Sequence, residues 1–219
     1  NVYASVVSQT GNRATLVHAA RSGFHVLPFD IGNAFIRASM GNIKVAINIP
    51  ETFRDKESLD NGRRMLLKAL YGLPISPRLW AKCLGKDLKT LGWTECLNEP
   101  GVWRKADSNN NIIGYLTVYV DDCVLACKDK QETEKELELI KKIHPLSVIE
   151  CTPKDGGITF DLTGADIYYN ASQRTMKISM GNYIEKMLKR FDMINAKPKA
   201  TPAFEEKNLY DEKSKESDF

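Results

Sequence analysis

The stretch Ile112-Ile-Gly-Tyr-Leu-Thr-Val-Tyr-Val-Asp-Asp-Cys-Val-Leu-Ala-Cys127 holds two adjacent carboxylates between two apolar runs. The simplest structure for this pattern is a β-hairpin with Asp121 and Asp122 at its tip. Carboxylates buried without partners cost free energy, so either solvent at the tip or a divalent cation must offset that cost. For an isolated Asp-Asp pair a solvated turn is the commoner explanation, and only further acidic residues favour a metal site.

A third carboxylate ends another apolar segment. Residues His25 to Ile31 predict a short buried strand that carries Asp30, although Pro28 lacks an amide donor and indicates an edge or a bulge. The 91 residues between Asp30 and Asp121 are enough chain to bring two neighbouring strands together in a sheet. Mg²⁺ prefers oxygen ligands and usually takes one or two carboxylates per ion, which leaves positions for phosphates. The three acids therefore predict a metal site suited to phosphoryl transfer.

The roles of the three acids are ranked by strand geometry. Consecutive strand residues point to opposite faces, so Asp121 and Asp122 cannot both point straight into one site unless the turn twists them. Our hypothesis is that Asp30 and Asp121 bridge the ions and that Asp122 is auxiliary.

The remaining patterns predict an α+β fold around an antiparallel sheet. Residues Ile43 to Ile49 alternate apolar and polar side chains, as a half-buried strand does. Start and stop signals predict four helices. They are a helix capped by Thr10 or Asn12 and stopped by Gly23, one that starts at Ser76-Pro77 with Ser76 as cap and closes at Gly92, one after Asp129, and one from Asn182 to Phe191 with Asn182 and Glu185 at capping-box spacing.

The composition is typical of a globular protein with one substantial core and does not by itself indicate a function. The 219 residues with 42% hydrophobic content can bury one substantial core, and no stretch approaches the roughly 20 apolar residues of a membrane span. A first residue of Asn, not Met, suggests a chain cut from a longer one. The net charge of +3 favours a nucleic-acid partner only weakly, so its distribution matters more than its total. Five cysteines without a CxxC pair predict reduced core thiols of an intracellular protein.

Four blocks of this sequence stand in the order found in copia-type reverse transcriptases, and the chain resembles that family over residues 2 to 204. A Tyr-Val-Asp-Asp tetrapeptide alone is weak evidence, but joined to the other blocks in order it is highly specific. The blocks are Phe29-Asp-Ile-Gly-Asn-Ala-Phe35, Leu67-Lys-Ala-Leu-Tyr-Gly-Leu-Pro-Ile-Ser-Pro-Arg-Leu-Trp80, Tyr119-Val-Asp-Asp122, and Tyr183-Ile-Glu-Lys-Met-Leu-Lys-Arg-Phe191 leading to Thr201-Pro202.

The resemblance implies an RNA-directed DNA polymerase with a reverse-transcriptase fold. It implies a palm with partial fingers at residues 1–150, a primer-grip-like hairpin from Phe160 to Ile167 and the start of a thumb within 151–204. A charged tail at 205–219 is expected to be disordered. The resemblance also implies that Mg²⁺ is the cofactor, with Mn²⁺ as a substitute. The implied catalytic residues are Asp30, Asp121 and Asp122, which with Ile31 are also the implied metal ligands.

Two further groups of residues take their roles from the same resemblance. Phe35 matches the steric gate that excludes a 2′-hydroxyl by its volume. The implied nucleotide-binding residues are Ala34, Phe35, Tyr71 and Gly72. Lys68, Pro77, Arg78, Tyr119 and Val120 are the implied template and primer contacts, and Lys82 is a further basic residue that could contact phosphates.

The implied partners are an RNA template, a DNA primer and a deoxynucleoside triphosphate, and no membrane partner is implied. The resemblance also implies integrase and RNase H domains in the same polyprotein, and a location in the cytoplasm within virus-like particles. The family's fingers hairpin would precede Asn1, so this fragment alone is expected to polymerise poorly. Departures from the family at Pro28, Pro74, Ile75, Asp161 and Thr163 leave a catalytically decayed or domesticated nucleic-acid-binding relative as an alternative. The third alternative is an unrelated metal-binding or interaction domain.

Overall fold

The computed structural model describes residue 4, residues 6–54 and residues 62–198. The predicted block at Thr201-Pro202 and the predicted disordered tail at 205–219 lie outside the described residues. The chain divides into two compact units, Asn1–Met180 and Gly181–Phe219.

The first unit combines helices with runs of antiparallel strands, as the α+β prediction expects. Its described helices are α1 (Gln9–Ser22), α2 (Ala34–Arg37), α3 (Ser76–Thr90) and α4 (Lys130–Lys141), with a 3₁₀ turn at Glu51–Phe53. Its described strands are β1 (His25–Ile31), β2 (Ala46–Asn48), β3 (Arg63–Met65), β4 (Thr94–Glu95), β5 (Val102–Ala106), β6 (Ile112–Tyr119), β7 (Asp122–Cys127), β8 (Leu146–Val148), β9 (Thr152–Lys154), β10 (Gly157–Leu162), β11 (Ala165–Asn170) and β12 (Thr175–Ser179). Helix α5 (Gly181–Arg190) belongs to the second unit.

The largest sheet has the order β4-β5-β6-β7-β1-β8, and its neighbouring strands are antiparallel. The predicted hairpin is confirmed: β6 and β7 pair from Gly114 opposite Cys127 to Tyr119 opposite Asp122. Only Val120 and Asp121 remain in the turn, as in the shortest common hairpin loops.

The two faces of this sheet bury different cores. On one face, Phe29 of β1 and Leu125 of β7 pack with side chains of α3 and α4. On the other face, Val26 and Val124 pack with side chains of α1, β10 and β11. Because side chains alternate along a strand, Asp30 and Asp122 point to the second face.

The second sheet lies on the α1 side of the large sheet and has the order β12-β11-β10-β9. Its β10–β11 hairpin confirms that a hairpin spans Phe160 to Ile167, with Thr163 and Gly164 in the turn. The Tyr169 hydroxyl donates to the carbonyl of Phe24 over 2.6 Å, and burial raises the pKa of Tyr169 to about 12. This bond ties β11 to the start of β1.

Strand β1 has the predicted bounds, but no bulge interrupts it at Pro28. Its register against β7 is continuous from His25 to Asp30. Strand β8 pairs with β1 only from Phe29 onward, while the Pro28 carbonyl accepts from Ile149 over 3.0 Å. Pro28 is therefore tolerated because its strand is paired on one side only up to that point.

The prediction of a half-buried strand from Ile43 to Ile49 was too long. Only Ala46–Asn48 forms a strand, paired with Arg63–Met65 in a separate two-stranded sheet. Ile43 is 40% exposed and its amide instead donates to the Met40 carbonyl over 3.0 Å. A turn at Met40 thus competes with extension of this strand.

The helix caps were predicted less well than the helices. Ser8, not Thr10 or Asn12, caps α1, and its hydroxyl accepts from the Gly11 amide over 2.9 Å. Ser76 does not cap α3, because its hydroxyl is used in a tertiary contact with Leu70. Helix α5 includes the predicted cap residue Asn182. The predicted stop at Gly23 and the cap at Asp129 are confirmed.

Two predicted properties of the whole chain can be compared with the structure. The five cysteines are free, and Cys123 and Cys127 are buried whereas the other three are only partly buried. None of the helices in the described residues has the length and apolar character that crossing a membrane requires.

Candidate active site

The three predicted acids meet where β1 ends and the β6–β7 hairpin turns. Asp30 lies directly opposite Asp122 in the β1–β7 ladder. The amide of Ile31 donates to the carbonyl of Asp121 over 3.0 Å, which fixes the turn beside the end of β1. All three acidic residues are partly buried. The backbone therefore brings together carboxylates that are 91 residues apart in sequence.

The charges of these acids act on one another. Burial raises the pKa of Asp30, and the charge of Asp121 raises it further. Burial also raises the pKa of Asp122, with added contributions from the charges of Asp121, Asp30 and then Asp161. A cluster of like charges that disfavours its own ionised form gains most from a bound cation.

The residues present suit a metal that takes most of its ligands from elsewhere. In the described part of the chain, no three His, Cys, Asp or Glu side chains form a ready metal-holding group. Mg²⁺ is usually bound through one or two carboxylates together with substrate phosphates and water, and not by an all-protein cage. Asp30, Asp121 and Asp122 fit that description as oxygen donors that are partly open to solvent.

Trp80 holds the turn that carries Asp121. Val120 has a φ of 63°, a left-handed conformation that is a genuine outlier for a β-branched residue. The indole Nε1 of Trp80 donates to the Val120 carbonyl over 2.7 Å. Trp80 is itself only 1% exposed in α3, and its ring packs edge-on against His144 at 5.3 Å. The hydrogen bond therefore offers the strained turn a rigid partner.

The predicted nucleotide-binding residues lie on two segments that contact each other. The rings of Phe35 and Tyr71 approach to 4.8 Å between centroids at an interplanar angle of 55°. The amide of Ala69 donates to the Ala38 carbonyl over 2.9 Å and so pairs the two segments. Phe35 and Tyr71 thus form one aromatic pair, while Ala34 is buried and Gly72 is exposed in a turn with φ 90°.

Ser76 joins the loop of this block to its helix. Its hydroxyl donates to the Leu70 carbonyl over 2.6 Å and accepts from the Leu70 amide over 3.1 Å. Ser76 is completely buried. The segment from Leu70 to Ser76 is consequently closed into a compact loop beside Phe35.

The predicted template and primer residues are divided between several places. Pro77 and Val120 line one small cavity together with Trp80 and Val118. Lys68 and Tyr119 are exposed, as is Arg78 on the outer face of α3. The structure therefore brings Pro77 next to the β6–β7 turn.

Two residues near the acids were not predicted as site residues. Trp80 ends one of the four sequence blocks, but a sequence does not show which carbonyl an indole meets. Asp161 was treated as an irregularity of the primer-grip-like hairpin, yet its charge reaches Asp122. The sequence did offer one indication of this, because Asp161 belongs to a hairpin that was predicted to lie near the primer.

Carboxylates gathered from neighbouring strands of an antiparallel sheet are a suitable site for the metal ions that nucleotidyltransferases use. The model of one family, described as reverse transcriptase (RNA-dependent DNA polymerase), matches residues 1–205, and the chain belongs to that family. The resemblance to copia-type reverse transcriptases is thereby confirmed.

Curated relatives include Pol polyproteins of transposons from plants and yeast. The retrovirus-related Pol polyprotein from transposon TNT 1-94 of Nicotiana tabacum is 30% identical over 205 residues, which is 92% of this chain and 14% of the relative. That of transposon RE2 from Arabidopsis thaliana is 25% identical over 91% of this chain and 13% of the relative. The Gag-Pol polyprotein of transposon Ty1-NL2 from Saccharomyces cerevisiae is 25% identical over 88% of this chain and 10% of the relative. The chain spans about one seventh or less of each.

Proposed function

We propose that this chain is the palm-centred core of an RNA-directed DNA polymerase, which adds deoxynucleotides to the 3′-hydroxyl of a primer paired to an RNA template. The observation that carries the proposal is the β1–β7 register, with Asp30 opposite Asp122 and the Asp121 carbonyl bonded to Ile31. Like charges on facing strands weaken a sheet, so their presence is explained by a cationic ligand and not by stability.

In this proposal the elements of the fold form the palm, fingers, primer grip and thumb of a polymerase. The six-stranded sheet is the palm, and the β2–β3 pair is part of the fingers. The β10–β11 hairpin is the primer grip, supported by the charge of Asp161 that acts on Asp122. Helix α5 is the start of the thumb.

Asp30 and Asp121, with the backbone of Ile31, would hold Mg²⁺, and Asp122 would be an auxiliary ligand. The charge of Asp121 is the one that raises the pKa of Asp30 beyond the effect of burial, which supports the pairing of those two carboxylates. Bound Mg²⁺ would lower the pKa of the primer hydroxyl and neutralise charge on the leaving pyrophosphate. Trp80 keeps Asp121 in place through the Val120 carbonyl.

Phe35 and Tyr71 bind the sugar and base of the incoming nucleotide. Their contact at 4.8 Å limits how far the ring of Phe35 can move. A ring fixed beneath the sugar leaves no volume for a 2′-hydroxyl, and the site therefore selects deoxynucleotides.

The wider setting follows from the relatives, which are polyproteins much longer than this chain. We propose that the chain acts beside integrase and RNase H domains of one polyprotein, inside virus-like particles in the cytoplasm. Its substrates there are the RNA template, the DNA primer and the deoxynucleoside triphosphate.

Primer extension on a homopolymer RNA template tests the proposal, with Mg²⁺ and Mn²⁺ in parallel. The 219-residue chain is compared with a fusion that adds, at its N-terminus, the residues that precede the matched segment in the TNT 1-94 polyprotein. We expect the fusion to extend the primer, and Asp30→Asn in the same fusion to abolish extension. Binding of primer and template by the fusion without any extension would instead identify a decayed nucleic-acid-binding relative.

A further inference from the structure

The outer face of α3 carries a continuous row of basic side chains. Arg78, Lys82, Lys86 and Lys89 follow one another at intervals of three or four residues and are all exposed. Residues at this spacing are neighbours on one helix face, about 5–6 Å apart. The modest net charge of +3 therefore conceals a strong local concentration of positive charge.

This basic row lines a groove of about 750 Å³ between α3 and the edge of the large sheet. Small residues of the helix, Ala81 and Gly85, form its floor with Trp103. A Cβ on Gly85 would lie 3.2 Å from the Trp103 ring, so glycine allows the helix to pack closely there. Glu95 also lines the groove, but its carboxylate accepts from the Gly101 amide over 3.2 Å.

Within the part of the chain that the structure describes, the lysines of the groove, Lys82, Lys86 and Lys89, have no salt-bridge partner. Like charges three or four residues apart destabilise a helix by about 0.2–0.5 kcal/mol per pair. An anionic ligand would remove that cost.

Helix α4 shows that this chain also builds the ordinary kind of charged helix surface. There Lys130, Lys135 and Lys141 each pair with a glutamate on the same helix, at 3.6, 2.8 and 3.3 Å. The basic row of α3 is not such a mixed, solvated face, and α4 provides a matched control for it.

The basic row starts in the first turn of α3, the helix that also carries Trp80. Trp80, in the first turns of α3, donates to the Val120 carbonyl, and Arg78 is two residues away. From Arg78 to Lys89 the helix rises by about 16 Å. A chain of phosphates that follows the row therefore runs from the end of α3 that carries Trp80 toward Lys89.

We propose that this groove binds the backbone of single-stranded nucleic acid, namely template that is not yet paired with primer. The assignment rests on the proposed polymerase function. A single row of charges follows one strand, whereas a duplex offers two. Trp103 is only 4% exposed and offers no face for base stacking, so binding is through phosphates and independent of sequence.

The test is equilibrium binding of a fluorescein-labelled 12-nucleotide single-stranded RNA to the full chain at several salt concentrations, without Mg²⁺. In the variant Lys82→Ala/Lys86→Ala/Lys89→Ala, the slope of log affinity against log salt should fall by about 2, since each single-strand phosphate contact contributes roughly 0.7. Thermal stability should be unchanged or higher, because alanine favours helix and the repulsion is removed. The control variant Lys130→Ala/Lys135→Ala/Lys141→Ala changes the net charge equally and should keep the slope.

Equal loss of slope in the two variants would overturn the proposal, because general charge would then explain binding. Displacement of the RNA by polyglutamate of equal charge would also overturn it, in favour of an acidic protein partner. Because this assay needs no catalysis, a chain that never extends a primer can still confirm the groove. A chain that extends primers, with an unchanged slope in the α3 variant, would refute the groove alone.

Discussion

Asp30 of β1 and Asp122 of β7 are direct partners in an antiparallel ladder. Such partners project from the same face of a sheet with Cβ atoms about 4.5–5.5 Å apart, and like charges there are destabilising. The apolar positions that continue the same ladder, Pro28 opposite Val124 and Val26 opposite Ala126, are buried. Along this ladder, buried apolar side chains are thus followed directly by two facing, partly buried carboxylates.

Replacing Asp122 by asparagine should stabilise the metal-free chain at neutral pH. Burial, and then the charges of Asp121 and Asp30, raise the pKa of Asp122 above the ordinary 3.8. In the wild type, the free energy of unfolding is therefore highest, with respect to this carboxyl, below pH 3.8, where Asp122 is protonated in both states. It falls as the pH rises through the raised pKa, because the folded chain must then hold the ionised carboxylate. Thermal unfolding should therefore show that the melting temperature of the variant increasingly exceeds that of the wild type as the pH rises from about 3.5 to roughly 7.

Mg²⁺ should reduce the advantage of Asp122→Asn, since bound cation relieves the same repulsion. Asp155→Asn is the matched control, because the contacts of Asp155 with Tyr168 and Asn170 use its backbone carbonyl. An Asp122→Asn chain that is less stable than wild type at pH 7 without metal would contradict the electrostatic interpretation.

Trp80→Phe should slow nucleotide addition more than it weakens nucleotide binding. The substitution keeps an aromatic ring in the core but removes the Nε1 donor to the Val120 carbonyl. Small displacements of catalytic groups can lower rates by about 100-fold, so we expect a fall of roughly ten- to 100-fold in kcat with little change in KM. Steady-state extension kinetics measure both constants.

Trp93→Phe controls for the loss of a buried indole donor away from the turn, since Trp93 donates to Glu136 over 3.1 Å. It should lower stability and leave kcat near the wild-type value. Equal kcat values for the two variants would show that Trp80 is a packing residue only.

Phe35→Val should admit ribonucleotides. The smaller side chain loses contact with Tyr71 and frees volume beneath the sugar. Discrimination by pocket volume is worth about 10- to 200-fold per small group, and competition between dNTP and rNTP should show a loss of that order. Tyr71→Phe, which retains the second ring, should keep the preference; unchanged preference in Phe35→Val would refute the steric-gate role.

Lys105→Met should destabilise the fold strongly. Glu136 is completely buried, and both of its carboxylate oxygens accept from Lys105 Nζ, at 2.6 and 2.7 Å. Removal of one partner of a buried pair costs about 3–5 kcal/mol of unfolding free energy. Urea unfolding measures the loss.

Lys130→Met is the matched control on the same helix as Glu136. Lys130 pairs with Glu134 at 3.6 Å on the surface, where such pairs contribute about 1 kcal/mol or less. If Lys105→Met costs no more than this control, the buried pair does not stabilise the connection between β5 and α4.

The sequence predicted those features that depend on local chemistry. The β6–β7 hairpin follows from two apolar runs around one acidic pair, and the Asp129 cap from the spacing to Glu132, whose amide donates to it over 2.7 Å. Features that depend on partners distant in sequence could not be predicted in the same way. Ser76 looked like a cap but bonds Leu70, and no periodicity reveals that Trp80 meets the Val120 carbonyl.

The arrangement of the three acids was predicted only in part, because it depends both on local sequence and on the pairing of distant strands. Asp30 and the Asp121–Asp122 pair were predicted to meet, because both end apolar strands. The register that makes Asp122 and not Asp121 the partner of Asp30 depends on how two strands align, which neither strand encodes alone. The spacing of Lys86 and Lys89 along α3 can be read from the sequence. Only the structure shows that both residues line a groove.

Titration with Mn²⁺, followed by paramagnetic broadening of backbone amide NMR signals, tests the convergence of the acids most directly. We expect the Ile31 signal at the end of β1 and the Cys123 signal in β7 to broaden together at the same Mn²⁺ concentration. Asp121→Asn should abolish the broadening, and Asp122→Asn should only weaken it. Broadening of one strand without the other would contradict the shared metal site, and a milder defect in Asp121→Asn than in Asp122→Asn would contradict the ranking of the ligands.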